Sequence, residues 1–381
     1  MEAFDAYLNS LMNKNRLEFS DFSEIKWLNY YVDNDLIQKR NQLVLKVEDK
    51  LFKQTKPYYN HISKGCQLCG KGLWSCLFIT NKCNANCFYC PAAQNIDETP
   101  STQSMEFLTA ELYADYVKTF GFKGVSFSGG EPLLFFDRTL DYLKAVRRIA
   151  SPDVYIWLYT NGILADYEKL KILADNGLNE IRFDIGATNY NIEKLKIATQ
   201  LLPVVTVEIP AVPEKTDLLN ELLYDLDKIG VKNLNLHQLR LTKYNAPQLL
   251  KRNYTYVNAE RPIVLESEIS ALETLLYAKE RDLQIGINYC SFHYKNRFQK
   301  AGFRKILAKL AGNDETMITE NGFVRKLQAN ELYYLTYKIS NERTDNSIEL
   351  KSDIARYYLK EENVGLKLSL NEKIDTVQKS V

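Results

Sequence analysis

Cys83-Asn84-Ala85-Asn86-Cys87-Phe88-Tyr89-Cys90 is the stretch on which the reading of the fold turns. Its three thiols stand in a C-x3-C-x2-C array directly after an apolar, strand-like run, Leu77-Phe78-Ile79-Thr80. Asn84, Ala85 and Asn86 are small and polar enough for the loop to turn tightly around one bound group. Three thiolates leave one iron of a four-iron cluster without a protein ligand, open to a substrate or cofactor. By itself the array also suits a three-cysteine zinc site, or buried thiols acting as small hydrophobes.

Further along, Gly124-Val125-Ser126-Phe127-Ser128-Gly129-Gly130-Glu131-Pro132 reads as a strand ending in two glycines, an acid and a proline. Two glycines let a backbone edge approach a ligand closely, Glu131 offers a carboxylate to an ammonium group, and Pro132 fixes the exit. A zinc ribbon gives no reason for Gly129 to Pro132. Together, and in this order on successive strands, the two motifs resemble those of the radical S-adenosylmethionine (SAM) enzymes. Gly65-Cys66-x2-Cys69 ahead of the first strand, with Phe88-Tyr89-Cys90-Pro91 after it, is similar to a branch described as related to pyruvate formate-lyase activating enzymes. The resemblance covers roughly residues 61–300.

Composition fits that frame. The 381 residues can bury one large or two moderate cores, and 45% hydrophobic with 25% charged residues is an ordinary globular balance. With 49 Lys plus Arg against 48 Asp plus Glu, no general attraction to nucleic acid or anionic membrane is expected. No apolar run is long enough to span a bilayer, and Met1-Glu2-Ala3-Phe4-Asp5 is not a signal peptide, so a cytoplasmic location is expected. Six of the seven cysteines fall between 66 and 90, which points to metal chemistry in a reducing compartment rather than to disulfides.

From Leu73 to Ser291, short apolar strands alternate with helical patterns, the mark of a parallel α/β architecture. Strands are expected at 76–80, 124–128, 154–159, 180–185, 204–210, 233–238 and 284–289. That makes six βα units and one further strand, short of a full eight-unit barrel. A partial (β/α)6 TIM-like barrel is the core the resemblance implies. Three divisions follow: a mainly helical extension over 1–60, the barrel with its cysteine-rich entry over 61–311, and a small α+β appendage over 312–381. Helices are expected at Glu24–Tyr31 and Leu36–Lys53, and a strand at Glu331–Tyr337. Leu241–Leu265 reads either as a lid or as an excursion packed by its own tyrosines, and Lys295–Lys309 as the solvated face of a basic helix.

The resemblance carries roles onto particular positions. Cys83, Cys87 and Cys90 would ligate a [4Fe-4S] cluster whose open iron SAM chelates through its amine and carboxylate. Tyr89 would flank the adenine, while Gly129, Gly130 and Glu131 would hold the SAM ammonium. Asp184 matches a ribose or carboxylate contact, although an acid there also suits a salt bridge with Arg182 or a helix cap. Ile209 and Pro210 match the apolar edge near the adenine. Thr160 and Asn161 read either as pocket-lining groups or as turn residues before Gly162, and Glu208, His237, Gln238 and Arg240 are polar groups whose facing strand alternation leaves open. Reductive cleavage of SAM would give a 5′-deoxyadenosyl radical that abstracts hydrogen from a small-molecule or peptide substrate. The electron would come from a donor such as flavodoxin or ferredoxin. An activase installing a radical on a partner protein is the second reading, and a non-catalytic metal-binding or electron-transfer protein the third. Four cysteines remain. Cys66, Cys69, Cys76 and Cys290 read either as a second site, an auxiliary cluster or zinc, brought together by a last strand lying near the first, or as a core thiol at Cys290 with a C-x2-C that supports the turn into strand one.

Overall fold

The computed structural model describes residues 2–28, 34–47, 50–311, 317–320, 322–329, 343–344, 347–348 and 357–362. Seven strands carry its architecture: β1 Trp74–Thr80, β2 Gly124–Gly129, β3 Tyr155–Thr160, β4 Glu180–Phe183, β5 Val204–Pro210, β6 Asn233–His237 and β7 Gly286–Cys290. They lie in the order β7-β6-β5-β4-β3-β2-β1, every neighbouring pair parallel. Between them run α1 Ala110–Thr119, α2 Phe136–Ala145, α3 Tyr167–Asp175, α4 Glu193–Leu201, α5 Thr216–Lys228 and α6 Leu265–Glu280. Six βα units and a seventh strand are thus present, and the sheet stays open. Antiparallel strands Ser101–Thr102 and Lys56–Tyr59 extend its two edges.

Local chemistry explains these elements. Parallel strands are covered on both sides, so they read as near-continuous apolar runs such as Tyr155-Ile156-Trp157-Leu158. Leu77, Ile79, Val125, Phe127, Ile156, Leu158, Ile181 and Val207 are all at most 1% exposed, each such side chain contributing about 1.5–3 kcal/mol. Thr109 caps α1 by accepting from the Leu112 N–H, and Asp166 caps α3 by accepting from that of Lys169. Beyond α3 the chain turns at Gly177, whose φ of +85° suits glycine.

Several expectations change. Glu24–Tyr31 is not helical where described: Trp27–Leu28 is a strand parallel to Tyr256–Val257. Its carbonyl edge accepts from Tyr256 and Asn258 N–H groups, a tertiary pairing that overrides local helical propensity. Tyr30 and Tyr31 lie outside the described residues, as does Glu331–Tyr337. Leu36–Lys53 divides into helix Asp35–Val47 and strand Leu51–Phe52, with 48–49 outside the description. A helix the sequence did not announce spans Glu2–Glu18. Residues 241–265 form a packed unit with strands Tyr256–Val257 and Ile263–Val264. Its Leu249, Tyr254 and Tyr256 share a small core with Phe19 and Ile25 of the N-terminal segment. Among the described residues no helix is long and apolar enough to cross a membrane.

A short helix, Lys64–Gly70, precedes β1 and packs against the polar interior of the sheet. A Cβ on Gly65 would stand 2.2 Å from the Arg182 guanidinium, so the helix can lie this close only with glycine there. Arg182, 2% exposed, stacks over Trp157 and Tyr159 and pairs with Glu180 at 2.8 Å and Glu208 at 2.6 Å. Both buried acids share the one guanidinium, so neither is left without a cation in the sheet interior.

Candidate active site at the strand ends

A cavity of about 910 Å³ opens where β1 to β6 end, the place where parallel α/β sheets carry their ligands. Cys83, Cys87 and Cys90 line it from one side; Gly129, Gly130, Thr160, Asn161, Asp184 and Ile209 line it from the strand ends. The sequence-predicted thiols, glycines, Asp184 and Ile209 therefore meet at one place.

The cysteine loop is shaped by its own backbone. The Cys83 N–H donates to the Gln94 carbonyl at 3.0 Å, and the Cys90 N–H to that of Cys87 at 3.0 Å. The Ala85 N–H donates to the Cys83 sulfur at 3.4 Å, and Asn161 Nδ2 reaches the same sulfur at 3.6 Å and Asn84 Oδ1 at 2.7 Å. Burial pushes the Cys87 thiol up to about 12, with the Asp184 carboxylate adding to the shift, so only a bound cation would make it a thiolate near neutrality. Three thiols on a loop that already directs N–H groups at one sulfur are the donor set a cysteine-held cluster requires.

The two glycines line the cavity with their backbone. Their close approach is to the chain itself. A Cβ on Gly129, where φ is +121°, would lie 2.1 Å from the Thr80 carbonyl oxygen, and one on Gly130 would lie 2.1 Å from that of Lys82. The Gly130 and Glu131 N–H groups donate to those same carbonyls at 2.7 and 2.8 Å. The end of β2 is thereby fastened to the entry of the cysteine loop.

Glu131, expected at the SAM ammonium, stands behind the strand end. Its carboxylate is fully buried and does not line the cavity. It accepts from the Leu133 N–H at 2.9 Å, the Thr160 hydroxyl at 2.9 Å and the Asn161 N–H at 2.7 Å. These bonds join the ends of β2 and β3. Burial raises it to about 7 against the donation of the three bonds.

Tyr89 and Asp184 form a pair: the phenol donates at 2.9 Å to both carboxylate oxygens, and the Gly186 N–H donates to one at 3.0 Å. Asp184 thus bridges the cysteine loop to β4 and makes no ion pair with Arg182. Burial lifts its carboxyl to about 6. A clamp that sequence patterning did not reveal holds the other side of the loop. The Arg252 guanidinium lies 3.5 Å from the Phe88 ring centre, Asn245 Nδ2 donates to the Tyr89 carbonyl at 3.3 Å, and Thr242 Oγ1 to that of Pro91 at 3.0 Å.

Glu208 and His237 line the cavity floor. His237 Nε2 donates to Glu208 Oε1 at 2.5 Å, and its Nδ1 faces the Lys295 ammonium at 3.2 Å. Burial penalises the Glu208 charge, but Arg182 and then His237 outweigh it and hold the carboxyl well below the usual range. Burial, then Lys295, lower His237, whose ring is held between an acid and a cation.

The four remaining cysteines are not gathered as expected. Cys76 lines the cavity beside Ser126 and Ser128, and burial pushes its thiol up to about 11. Cys66, Cys69 and Cys290 instead share the surroundings of Lys56, a lysine only 2% exposed. Burial opposes its charge, but Cys290, Cys66 and Cys69 outweigh that and hold it above its ordinary value. β7 does not adjoin β1. The meeting comes about because helix Lys64–Gly70 packs across the sheet interior, while strand Lys56–Tyr59 runs antiparallel to β7. Among the described residues no three His, Cys, Asp or Glu side chains converge on a single-ion position, and all seven cysteines are free.

Residues 77–199 match the family model described as the radical SAM superfamily. A Methanocaldococcus jannaschii protein provisionally named a glycyl-radical enzyme activating enzyme is 29% identical over 72% of this chain and 76% of its own length. A probable GTP 3′,8-cyclase of the same organism is 36% identical, but over 30% of this chain and 37% of that relative. Among solved structures, Streptococcus suis SuiB bound to S-adenosylmethionine aligns with a TM-score of 0.46 at 14% identity, covering 66% of this chain and 59% of SuiB.

Proposed function

We propose that this chain is a radical SAM enzyme, in line with the superfamily match over residues 77–199, and that Cys83, Cys87 and Cys90 hold the [4Fe-4S] cluster and SAM that the family implies. A small-molecule or peptide substrate would occupy the rest of the cavity. When bound, that group supplies reductive cleavage of the SAM carbon–sulfur bond and a hydrogen-abstracting radical. One observation carries the reading: three thiols of one loop share a cavity with the Gly129-Gly130 strand end, and that strand end is hydrogen-bonded to the loop's own entry.

The chain's residues then have distinct tasks. Gly129, Gly130 and Glu131 form a frame that sets the loop against the strand ends, and Asn161 directs its amide at Cys83. Tyr89 and Asp184 present a polar edge to SAM, and Ile209 an apolar one beside Pro210. The packed unit 241–265 keeps water and solvent motion from the loop's outer side. Cys66, Cys69 and Cys290 are carried forward as ligands of a second group, iron–sulfur or zinc, with Lys56 balancing thiolate charge. Cys76 is left outside that set. The functional unit is residues 61–311, working with an electron donor of the flavodoxin or ferredoxin kind in a reducing compartment such as the cytoplasm. The name of the M. jannaschii relative favours a second reading, an activase acting on a partner protein.

Anaerobic reconstitution tests the first reading. Wild type should release 5′-deoxyadenosine from SAM with dithionite, and Cys87→Ala should release none while losing about four irons per chain. Equal release by both would overturn the assignment. A protein-borne radical signal on a co-purified partner would move the reading to the activase.

A further inference from the structure

We propose that the part of the cavity lined by Arg240, Lys295, Lys300 and Arg304 is a binding site for a multiply charged anionic group, phosphate ester or polycarboxylate, carried by a small substrate. The inference rests on the radical SAM reading for what happens at the other end.

Arg240, Lys295, Lys300 and Arg304 all line this cavity. In a chain with 49 basic and 48 acidic residues, four cations around one space are a local concentration rather than a general property. The cavity's two carboxylates do not neutralise them. Asp184 is taken by Tyr89, and Glu208 by Arg182, His237 and Asn235. Among the described residues no carboxylate forms a salt bridge with Arg240, Lys295 or Lys300. Two of these cations are already aimed. The Arg240 guanidinium and the Lys295 ammonium lie 5.6 and 4.9 Å from the centre of one ring, Phe292, and Lys295 is also held by His237 Nδ1. A ring face fixes such side chains without supplying a negative charge, so their donors stay available for a ligand's oxygens. Burial and then the Arg261 charge depress Lys300, Glu260 opposes, and Arg304 and Arg240 add to the lowering; an anion would relieve that repulsion. Trp74, Phe303 and Leu307 complete the walls with apolar surface, suited to a carbon skeleton lying between the anionic group and the reacting end.

The basic segment 295–309 is a solvated face only in part: Arg297, Lys300 and Lys309 are exposed, as its sequence suggests, while Lys295, Lys300 and Arg304 also line the cavity. Residues 295–300 form a widened helical turn, and helix Ala301–Ala311 follows, bringing Lys295, Lys300 and Arg304 onto the cavity side.

Calorimetric titration of the reconstituted, SAM-bound enzyme with inorganic phosphate and, separately, with succinate tests the site. Saturable binding of either at low millimolar concentration or tighter is expected, and the tighter of the two identifies the anion class. Arg240→Gln and Lys295→Gln should each weaken it by about tenfold, the scale of one charge-assisted contact. Lys295→Arg should retain it within about threefold, and Lys171→Gln, which alters an exposed pair with Asp175, should leave it unchanged. Absence of saturable binding of both anions, or binding that Arg240→Gln and Lys295→Gln leave intact, would overturn the site. Deoxyadenosine release measured on the same preparation separates the two claims. Release without anion binding refutes only this inference; anion binding without release refutes only the reading of the cysteine loop.

Discussion

Replacing Glu131 by Gln separates two roles for that carboxylate, a contact to the SAM ammonium or a tie between strand ends. In the fold its ordinary value of 4.5 rises to about 7, chiefly through burial. The folded-state pKa lies above the unfolded one, so the folded chain binds the extra proton between these values. Stability is therefore highest below about pH 4.5 and falls as pH rises toward 7, with little further change above. A shift of that size corresponds to about 3 kcal/mol. Gln is neutral throughout and has no such slope. Its amide nitrogen must replace one oxygen, leaving either the Leu133 or the Asn161 N–H without an acceptor, a constant cost of about 1–3 kcal/mol. At pH 5 the variant should be the less stable protein, and by pH 8 the gap should close or reverse. Urea denaturation of the reduced, metal-free chain at the two pH values measures this, since cysteine titration is common to both proteins and cancels. A wild-type minus variant difference that stays constant within about 0.5 kcal/mol would refute the buried tie. Loss of SAM affinity by more than about a hundredfold in the reconstituted variant would restore the ammonium contact that the motif suggests.

Gly130→Ala would drive a Cβ into the Lys82 carbonyl, costing about 1–3 kcal/mol or displacing the loop. Iron content after reconstitution should fall with the melting temperature, and full loading at an unchanged melting temperature would contradict the close approach. Arg182→Met leaves Glu180 and Glu208 without their shared cation in the sheet interior. It should destabilise the chain by about 3–5 kcal/mol in chemical denaturation, whereas a change below about 1 kcal/mol would show that those acids do not rely on it. Arg252→Ala removes the cation from the Phe88 ring, worth about 0.5–1 kcal/mol. Bleaching of the reconstituted cluster by a chelator should accelerate several-fold, and an unaltered rate would show that the loop does not depend on this clamp.

Much of the fold is legible in the chain because its signals are local. Apolar runs such as Val204–Ile209, capping residues such as Thr109 and Asp166, and Gly177 after α3 each act within a few residues, so six βα units and a seventh strand follow from periodicity alone. The C-x3-C-x2-C spacing and the Gly129-Gly130 pair mark the site for the same reason. Covalent spacing limits which groups can wrap one ligand, and only glycine tolerates such close backbone approach.

Direction and long-range company are decided by the tertiary structure. Glu131 and Asp184 are both acids at strand ends, yet one turns into the frame and the other pairs with Tyr89 beside the cavity, because neighbouring strands place different donors within reach. Cys76 stands only seven residues from Cys69 but opens on the cavity. Cys290, more than two hundred residues away, joins Cys66 and Cys69 at Lys56 through the packing of helix Lys64–Gly70 and an antiparallel edge strand. The basic run after β7 has the same ambiguity: its charge is written in the sequence, but whether it meets water or lines a cavity depends on how the helix docks. Sequence determines which chemistry the chain can offer; packing determines which groups face one another, since that depends on contacts between segments whose separation along the chain carries no local signal.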